Sequence, residues 1–252
     1  MLSDLKNIIF RGPYFLSINT IGFLGIFFFL ILPFSKKIKT ENYLPFLLLI
    51  LVISYEDFAR YLTVDKALNQ KIHEWLFDVP FQGWNVWAYN LFYGQISKFL
   101  FLFIILNQVQ NQRLRNAIHG IWSFFLLFCI LLQLLELEPL YGLQPIIGGT
   151  GNACIIIACC LFFIDLITSD FYLEKDPLVL WQFWFATLTL FQTSLVFLSE
   201  VSYEYLIFSN TSLYNSLVYI SQFLYTSTMG LIVAKFISEL MLKSAKKIRQ
   251  NA

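Results

Sequence analysis

The chain is 252 residues long with a formal net charge of +1, and 58% of it is hydrophobic against 13% charged. A soluble domain carries about 25% charged residues because its surface must face water, so this composition excludes one. The near-neutral charge also leaves no basic footprint for a nucleic-acid partner.

Seven apolar stretches follow in chain order, over 13–34, 43–62, 84–107, 115–136, 150–169, 180–199 and 214–241. A bilayer crossing needs ~20 mostly apolar residues, and each stretch meets or approaches that length. The expected fold is all-α: a polytopic membrane protein whose residues 1–252 form a single seven-transmembrane-helix bundle. Its first partner is the lipid bilayer. Met1–Arg11 is of mixed polarity, and the first apolar run is too long for a signal-peptide core and lacks a small-residue cleavage site. It reads as a retained helix.

Basic residues collect on alternate connections. Lys36, Lys37 and Lys39 follow the first stretch, Arg113 and Arg115 the third, Lys175 the fifth, and Lys243, Lys246, Lys247 and Arg249 the seventh. The connections at 137–149 and 200–213 hold no Lys or Arg. The positive-inside rule then puts the N-terminus outside and the C-terminus in the cytoplasm. Lys66 and Lys71 on the connection 63–83 oppose this, but Asp65, Glu74 and Asp78 accompany them. The expected location is a membrane, with the basic connections on its cytoplasmic side.

Between the second and third stretches, Asp65–Leu76 has Ala67, Leu68, Ile72, Trp75 and Leu76 at helical spacing. That pattern predicts a short amphipathic helix on the outer interface. Pro80 and Gly83 turn the chain into the third stretch, with Trp84 and Trp87 expected at headgroup depth. Pro139, Gly142, Pro145 and the run Gly148–Gly151 are expected to form a second outer loop. Cys129, Cys154, Cys159 and Cys160 all fall within predicted spans and read as small packing residues.

Ionisable residues inside a span cost at least ~2.5–3.5 kcal/mol at midplane and so mark candidate sites. Glu56 and Asp57 fall ~8–9 Å from the outer end of the second span. Arg60, one turn on, can pair with either acid. One reading is a near-interface cluster satisfied by its own Arg and water; the other is an outward cavity with a free carboxylate. Tyr89, Asn90, Tyr93, Gln133, Glu136, Gln192, Glu200, Tyr219 and Gln222 lie at similar depth on other spans. They can line one polar pocket or make separate interhelical hydrogen bonds.

Lys98 lies deeper, ~20 Å from the outer end of its span. Two readings stand: an ion pair with Asp165, or snorkelling toward the inner interface. Lys235 and Glu239, four residues apart, read as a helix-surface pair near the basic end. The third span offers no carboxylate counter-ion for a Schiff base on Lys235, which argues against a retinal protein. His73 and His119 are the only histidines and are assigned to opposite sides, too few for a metal centre. No Ser/His/Asp arrangement can be placed either, so no cofactor and no catalytic activity are expected. Asn210–Thr211–Ser212 matches a glycosylation acceptor, meaningful only in a eukaryotic host.

Three stretches carry a family resemblance: Glu56–Leu62, Asn85–Phe99 and, most specifically, Asp176–Glu200. They resemble a group of uncharacterised seven-helix membrane proteins of Bacteroidetes-type bacteria. The group usually has a Pro-Ile-Glu-like element where this chain has Gly94–Gln95–Ile96–Ser97. The resemblance implies a sensory neighbour of histidine kinases. The leading expectation is thus a receptor-like module that passes a ligand or membrane signal to a cytoplasmic signalling protein. The second is a small-solute transporter, with Asn90, Tyr93, Trp181, Gln182 and Trp184 along its path. No internal repeat supports that plan, and no span is broken by proline at midplane. A third is an accessory subunit of a larger membrane complex, and oligomerisation is compatible with all three.

Overall fold

The computed structural model describes residues 12–81, 83 and 86–250. Met1–Arg11, Trp84, Asn85 and Ala252 lie outside the described residues, as do the side chains of Lys243, Lys246, Lys247 and Arg249. Every element among the described residues is helical. In chain order these are α1 (Pro13–Ile31), α2 (Phe34–Lys37), α3 (Thr40–Val64), α4 (Lys66–Leu76) and α5 (Val86–Leu106). There follow α6 (Gln112–Leu134), α7 (Pro145–Thr168), α8 (Asp170–Leu173), α9 (Trp181–Val201), α10 (Tyr203–Ser209) and α11 (Thr211–Gln250).

Six of these, α1, α5, α6, α7, α9 and α11, are long and apolar enough to cross a membrane. The expected span 43–62 falls on α3. That helix is 25 residues long but carries Glu41, Glu56, Asp57 and Arg60, and it is not one of the six.

Local chemistry sets the boundaries. Pro13 and Pro145 open α1 and α7 at positions where a missing N–H is harmless. Asp65, Asn111 and Asn210 cap α4, α6 and α11 by accepting from Leu68, Arg113 and Leu213 N–H. At the end of α6, Glu136 takes the left-handed conformation at φ 54°. Its N–H donates to Gln133 and that of Leu137 to Leu132, which closes a Schellman turn. The run Gly148–Gly151, expected in a loop, lies inside α7, because the helix starts at Pro145.

The long helices form a ring in the order α1, α3, α5, α7, α9, α11 and back to α1, with α6 outside it against α5 and α7. A stripe of buried residues on α3 (Leu44, Leu48, Leu49, Val52, Ile53) faces this ring. A Cβ on Gly22 would lie 2.2 Å from Ile53 Cδ1, so the Ile53 side chain occupies the space that a side chain on α1 would need.

Successive connections alternate between two ends. The basic end holds α2, the connection 107–111 and the connection 169–180. At the opposite end lie α4, the connection 135–144 and α10. There α4 packs on the bundle through Leu68 and Ile72, and Asn69 Oδ1 accepts from Trp87 Nε1 at 3.3 Å. Trp87 is therefore buried rather than at a headgroup, while Trp75 of α4 is exposed.

Candidate functional site

The half of α5 nearest the opposite end departs from α-helix. Residues Tyr89–Ile96 form a π-helical stretch, a feature common at functional positions. Its residues explain it. Ser97 N–H reaches back five residues to Phe92, and the Tyr93 carbonyl that it leaves is taken by the Ser97 hydroxyl at 2.6 Å. The wider turn carries Tyr89, Asn90, Tyr93 and Gln95.

Tyr93 is the centre of the group. Its ring contacts those of Tyr55 at 6.4 Å, Tyr89 at 5.1 Å and Tyr225 at 5.9 Å. Its hydroxyl oxygen accepts from Gln192 Nε2 at 3.5 Å. Glu56 accepts from the Tyr14 hydroxyl at 3.0 Å and follows Tyr55, whose ring stacks on that of Tyr93. Five helices of the ring thus send polar groups into one place: Tyr14 on α1, Glu56 on α3, Tyr93 on α5, Gln192 on α9 and Tyr225 on α11.

Lys98 and Glu200 extend this group toward α7. The Lys98 ammonium is buried at 4% exposure and donates to the Gly148 carbonyl at 2.7 Å. The Glu200 carboxylate accepts from Asn152 Nδ2 at 2.6 Å, on the other side of Gly148. Glycines make the room. A Cβ on Gly151 would come within 2.6 Å of Lys98 Cδ, and one on Gly148 within 3.2 Å of Glu200 Oε2.

The expected pairing of Lys98 with Asp165 is corrected by this geometry. Lys98 reaches toward the first turn of α7, whereas Asp165 sits in its last turn, at the basic end. There both Asp165 oxygens accept backbone N–H groups, from Gln110 at 2.7 Å and Asn111 at 2.9 Å, and so fix the entry into α6. Lys98 also snorkels away from the basic end, not toward it.

The other expected site residues divide. Asp57 is exposed, one residue or about 100° round the helix from Glu56, and lies on the side of Asn19 of α1, at the edge of the bundle. Arg60 lies over the Phe15 ring at 4.6 Å. Asn90 serves structure: its Nδ2 donates to Leu140 at 2.8 Å and Gly142 at 2.6 Å, tying down the connection 135–144. Gln133 and Gln222 are half-buried, and Gln133 Nε2 has no hydrogen-bond partner among the described residues. Tyr89 belongs to the tyrosine group and is 43% exposed.

Sequence reasoning missed Tyr14, Tyr55, Tyr225, Asn152 and Glu138. The last is buried in a loop, where its carboxylate accepts Ile146 and Ile147 N–H at 2.6 and 2.7 Å and caps α7. An acid seven residues ahead of a Pro-initiated helix was the available signal.

A second polar region lies at the basic end. Lys235, buried, donates to the Glu41 carbonyl and to Asn42 Oδ1 and stands over the Trp181 ring at 4.6 Å. The expected Lys235–Glu239 pair is corrected: Glu239 pairs with Lys36 at 2.6 Å. Beside it is a cleft of about 110 Å³ lined by Glu41, Asn107, Gln108, Phe171, Tyr172 and Trp181 among others. Burial holds the Tyr172 phenol above its ordinary pKa, and it donates to the Gln108 carbonyl at 2.5 Å.

Between the two polar regions the bundle is mostly apolar, with Leu102, Ile105, Ile155 and Phe185 fully or almost fully buried, beside the buried hydroxyl side chains of Thr189 and Thr228. Among the described residues no group of three or more metal-ligating side chains comes together. The three comparisons, with protein-family models, curated proteins and solved structures, returned no match.

Proposed function

We propose that the chain is a seven-helix sensory module of a bacterial inner membrane, with α3 as its seventh span. In this reading the basic end is cytoplasmic, and a signalling protein such as a histidine kinase receives the signal there. The observation that carries it is the convergence of Tyr14, Glu56, Tyr93, Gln192 and Tyr225 from five helices at the end remote from the basic connections. A polar site on one side of a mostly apolar plug suits detection better than passage. It supports sensing over the small-solute transporter, whose path would need polar groups across the bundle. The Lys/Arg asymmetry supports the orientation, and the charges of α3 are accommodated because Glu56 faces Tyr14 and Arg60 lies near the helix end.

The test is photo-crosslinking in the native host from a reactive residue placed at Met241, exposed on α11. The expected product is a cytoplasmic signalling protein, its yield altered by Tyr93→Phe. Solute accumulation by proteoliposomes containing only this chain would replace sensing with transport. Crosslinks solely to other integral membrane proteins would favour an accessory subunit.

A further inference from the structure

We propose that the cleft at the basic end binds the guanidinium group of a small organic cation. The inference stands apart from the sensory reading, which rests on the opposite end of the bundle. Its basis is the kind of polar atom that the exposed lining residues offer. Asn107 and Gln110 are two of these residues, and their amide nitrogens are already spent. Asn107 Nδ2 donates to the Phe103 carbonyl at 2.7 Å, and Gln110 Nε2 to the Gln108 carbonyl at 3.2 Å. That leaves the oxygens Oδ1 and Oε1, which only accept.

Glu41 adds a carboxylate, the one charged group among the lining residues. It lies 3.6 Å from Lys39, with both side chains about half exposed. A surface pair of that kind is worth little, so the carboxylate stays available. Acceptors on the wall, with no basic side chain among them, call for a donor-rich cation and not for an anion.

The rest of the lining selects the cation. Phe171, Tyr172 and Trp181 present aromatic rings, which attract organic cations but give a metal ion no oxygen ligands. Two of the rings already carry ammonium groups, from lysines that do not line the cleft. Lys175 lies over Phe171 at 3.1 Å and Lys235 over Trp181 at 4.6 Å. A guanidinium fits the remaining space better than a third ammonium. It is planar, it stacks on a ring, and its five N–H donors spread in one plane toward separate oxygens.

Size agrees. A cavity of ~150 Å³ accepts benzene, so the cleft, at 110 Å³, is too small for that ring and takes a guanidinium, with four non-hydrogen atoms against six. Any substituent stays at the open mouth beside the exposed Phe171 and Asn107. Glu41 and Trp181 also hold Lys235, so an occupant touches the residues that anchor α11.

The test is saturation-transfer NMR on the full chain in nanodiscs of zwitterionic lipid. Methylguanidinium is the probe, and N-methylurea is its uncharged counterpart of like shape. Methylguanidinium should bind saturably, and N-methylurea at least about tenfold more weakly, the effect of removing one charge-assisted contact. Glu41→Gln should weaken methylguanidinium by the same factor, and Lys39→Met should tighten it by freeing the carboxylate. Glu74→Gln, exposed at the other end, should leave it unchanged. Should Glu41→Gln fail to fold, Asn107→Leu removes an acceptor and must show a loss. N-acetylarginine amide separates two sources of the group. Binding as tight as that of methylguanidinium assigns the cleft to an arginine side chain of a docked protein, and weaker binding assigns it to a free solute. No saturable signal from the folded parent, or equal signals from the parent and the Glu41 and Asn107 variants, would overturn the proposal. Equal binding of N-methylurea would overturn it as well.

Discussion

Pro45 of α3 and Lys235 of α11 are related through one atom, the Glu41 carbonyl oxygen. Pro45 has no N–H to give to the residue four before it. The Lys235 ammonium gives a hydrogen bond to that oxygen instead. A break in the hydrogen-bond ladder of one helix is therefore the anchor point of another, and the buried cation is satisfied by the same contact.

The relationship predicts a coupling. Lys235→Met should lower stability by about 1.5–3 kcal/mol, the range for hydrogen bonds to charged groups. Pro45→Ala restores the missing N–H and should recover about 1 kcal/mol in that background. Denaturant titration of the four variants in detergent measures it as a double-mutant cycle. A Pro45→Ala effect of equal size with and without Lys235 would show that the two are independent.

Lys98 and Glu200 flank Gly148, the one donating to its carbonyl at 2.7 Å and the other held by Asn152 at 2.6 Å. Lys98→Met leaves the Gly148 carbonyl without that donor and should cost about 1.5–3 kcal/mol, the range for hydrogen bonds to charged groups. Glu200→Gln in the Lys98→Met background should cost less than in the parent if the two charges are coupled. Thermal unfolding of the single and double variants decides, and equal effects in both backgrounds would show that the two groups act independently.

Neighbouring acids on α3 should behave oppositely. Tyr14→Phe removes the donor to Glu56 and should destabilise by about 1.5–3 kcal/mol. Asp57→Asn, on the exposed side, should stay within about 0.5 kcal/mol of the parent. The same unfolding assay reads both, and a comparable loss from each would mean that Asp57 also faces the bundle.

Glu136 offers a gain. Its φ of 54° is one that a residue with a Cβ adopts at a cost of roughly 1–2 kcal/mol. Glu136→Gly should raise stability by about 1 kcal/mol at the end of α6, visible as a higher unfolding midpoint. An unchanged or lower midpoint would show that the carboxylate contributes there.

The helices were legible in the sequence because apolar runs of bilayer length are long-range, redundant signals. Their ends were less so: the sequence expectation put Gly148–Gly151 in a loop from composition, yet Pro145 starts the helix before them. Polar depth was legible in part, since Tyr93 and Gln192 were expected at one level and lie within hydrogen-bonding distance. Azimuth was not. One residue of rotation separates Glu56, inside, from Asp57, at the edge, and no periodic pattern on α3 distinguishes them. Lys98 was misassigned because matching depths along straight helices ignores the reach of a flexible side chain past two glycines. Tyr14, Tyr55 and Tyr225 were missed for a different reason: in a chain with 13 tyrosines, any one looks like interfacial bulk.

At 40 residues α11 is ~60 Å long, twice the ~30 Å of a hydrocarbon core. Tyr225 and Lys235 are ten residues apart on it, so ~15 Å separates the tyrosine group from the Glu41 anchor. No proline interrupts the stretch between them. A continuous α-helix is stiff along its axis, and a rod gripped at two points cannot slide at one without sliding at the other. Any displacement of Tyr225 must therefore either stay within the slack of its packing or load the Lys235 contact by the same distance.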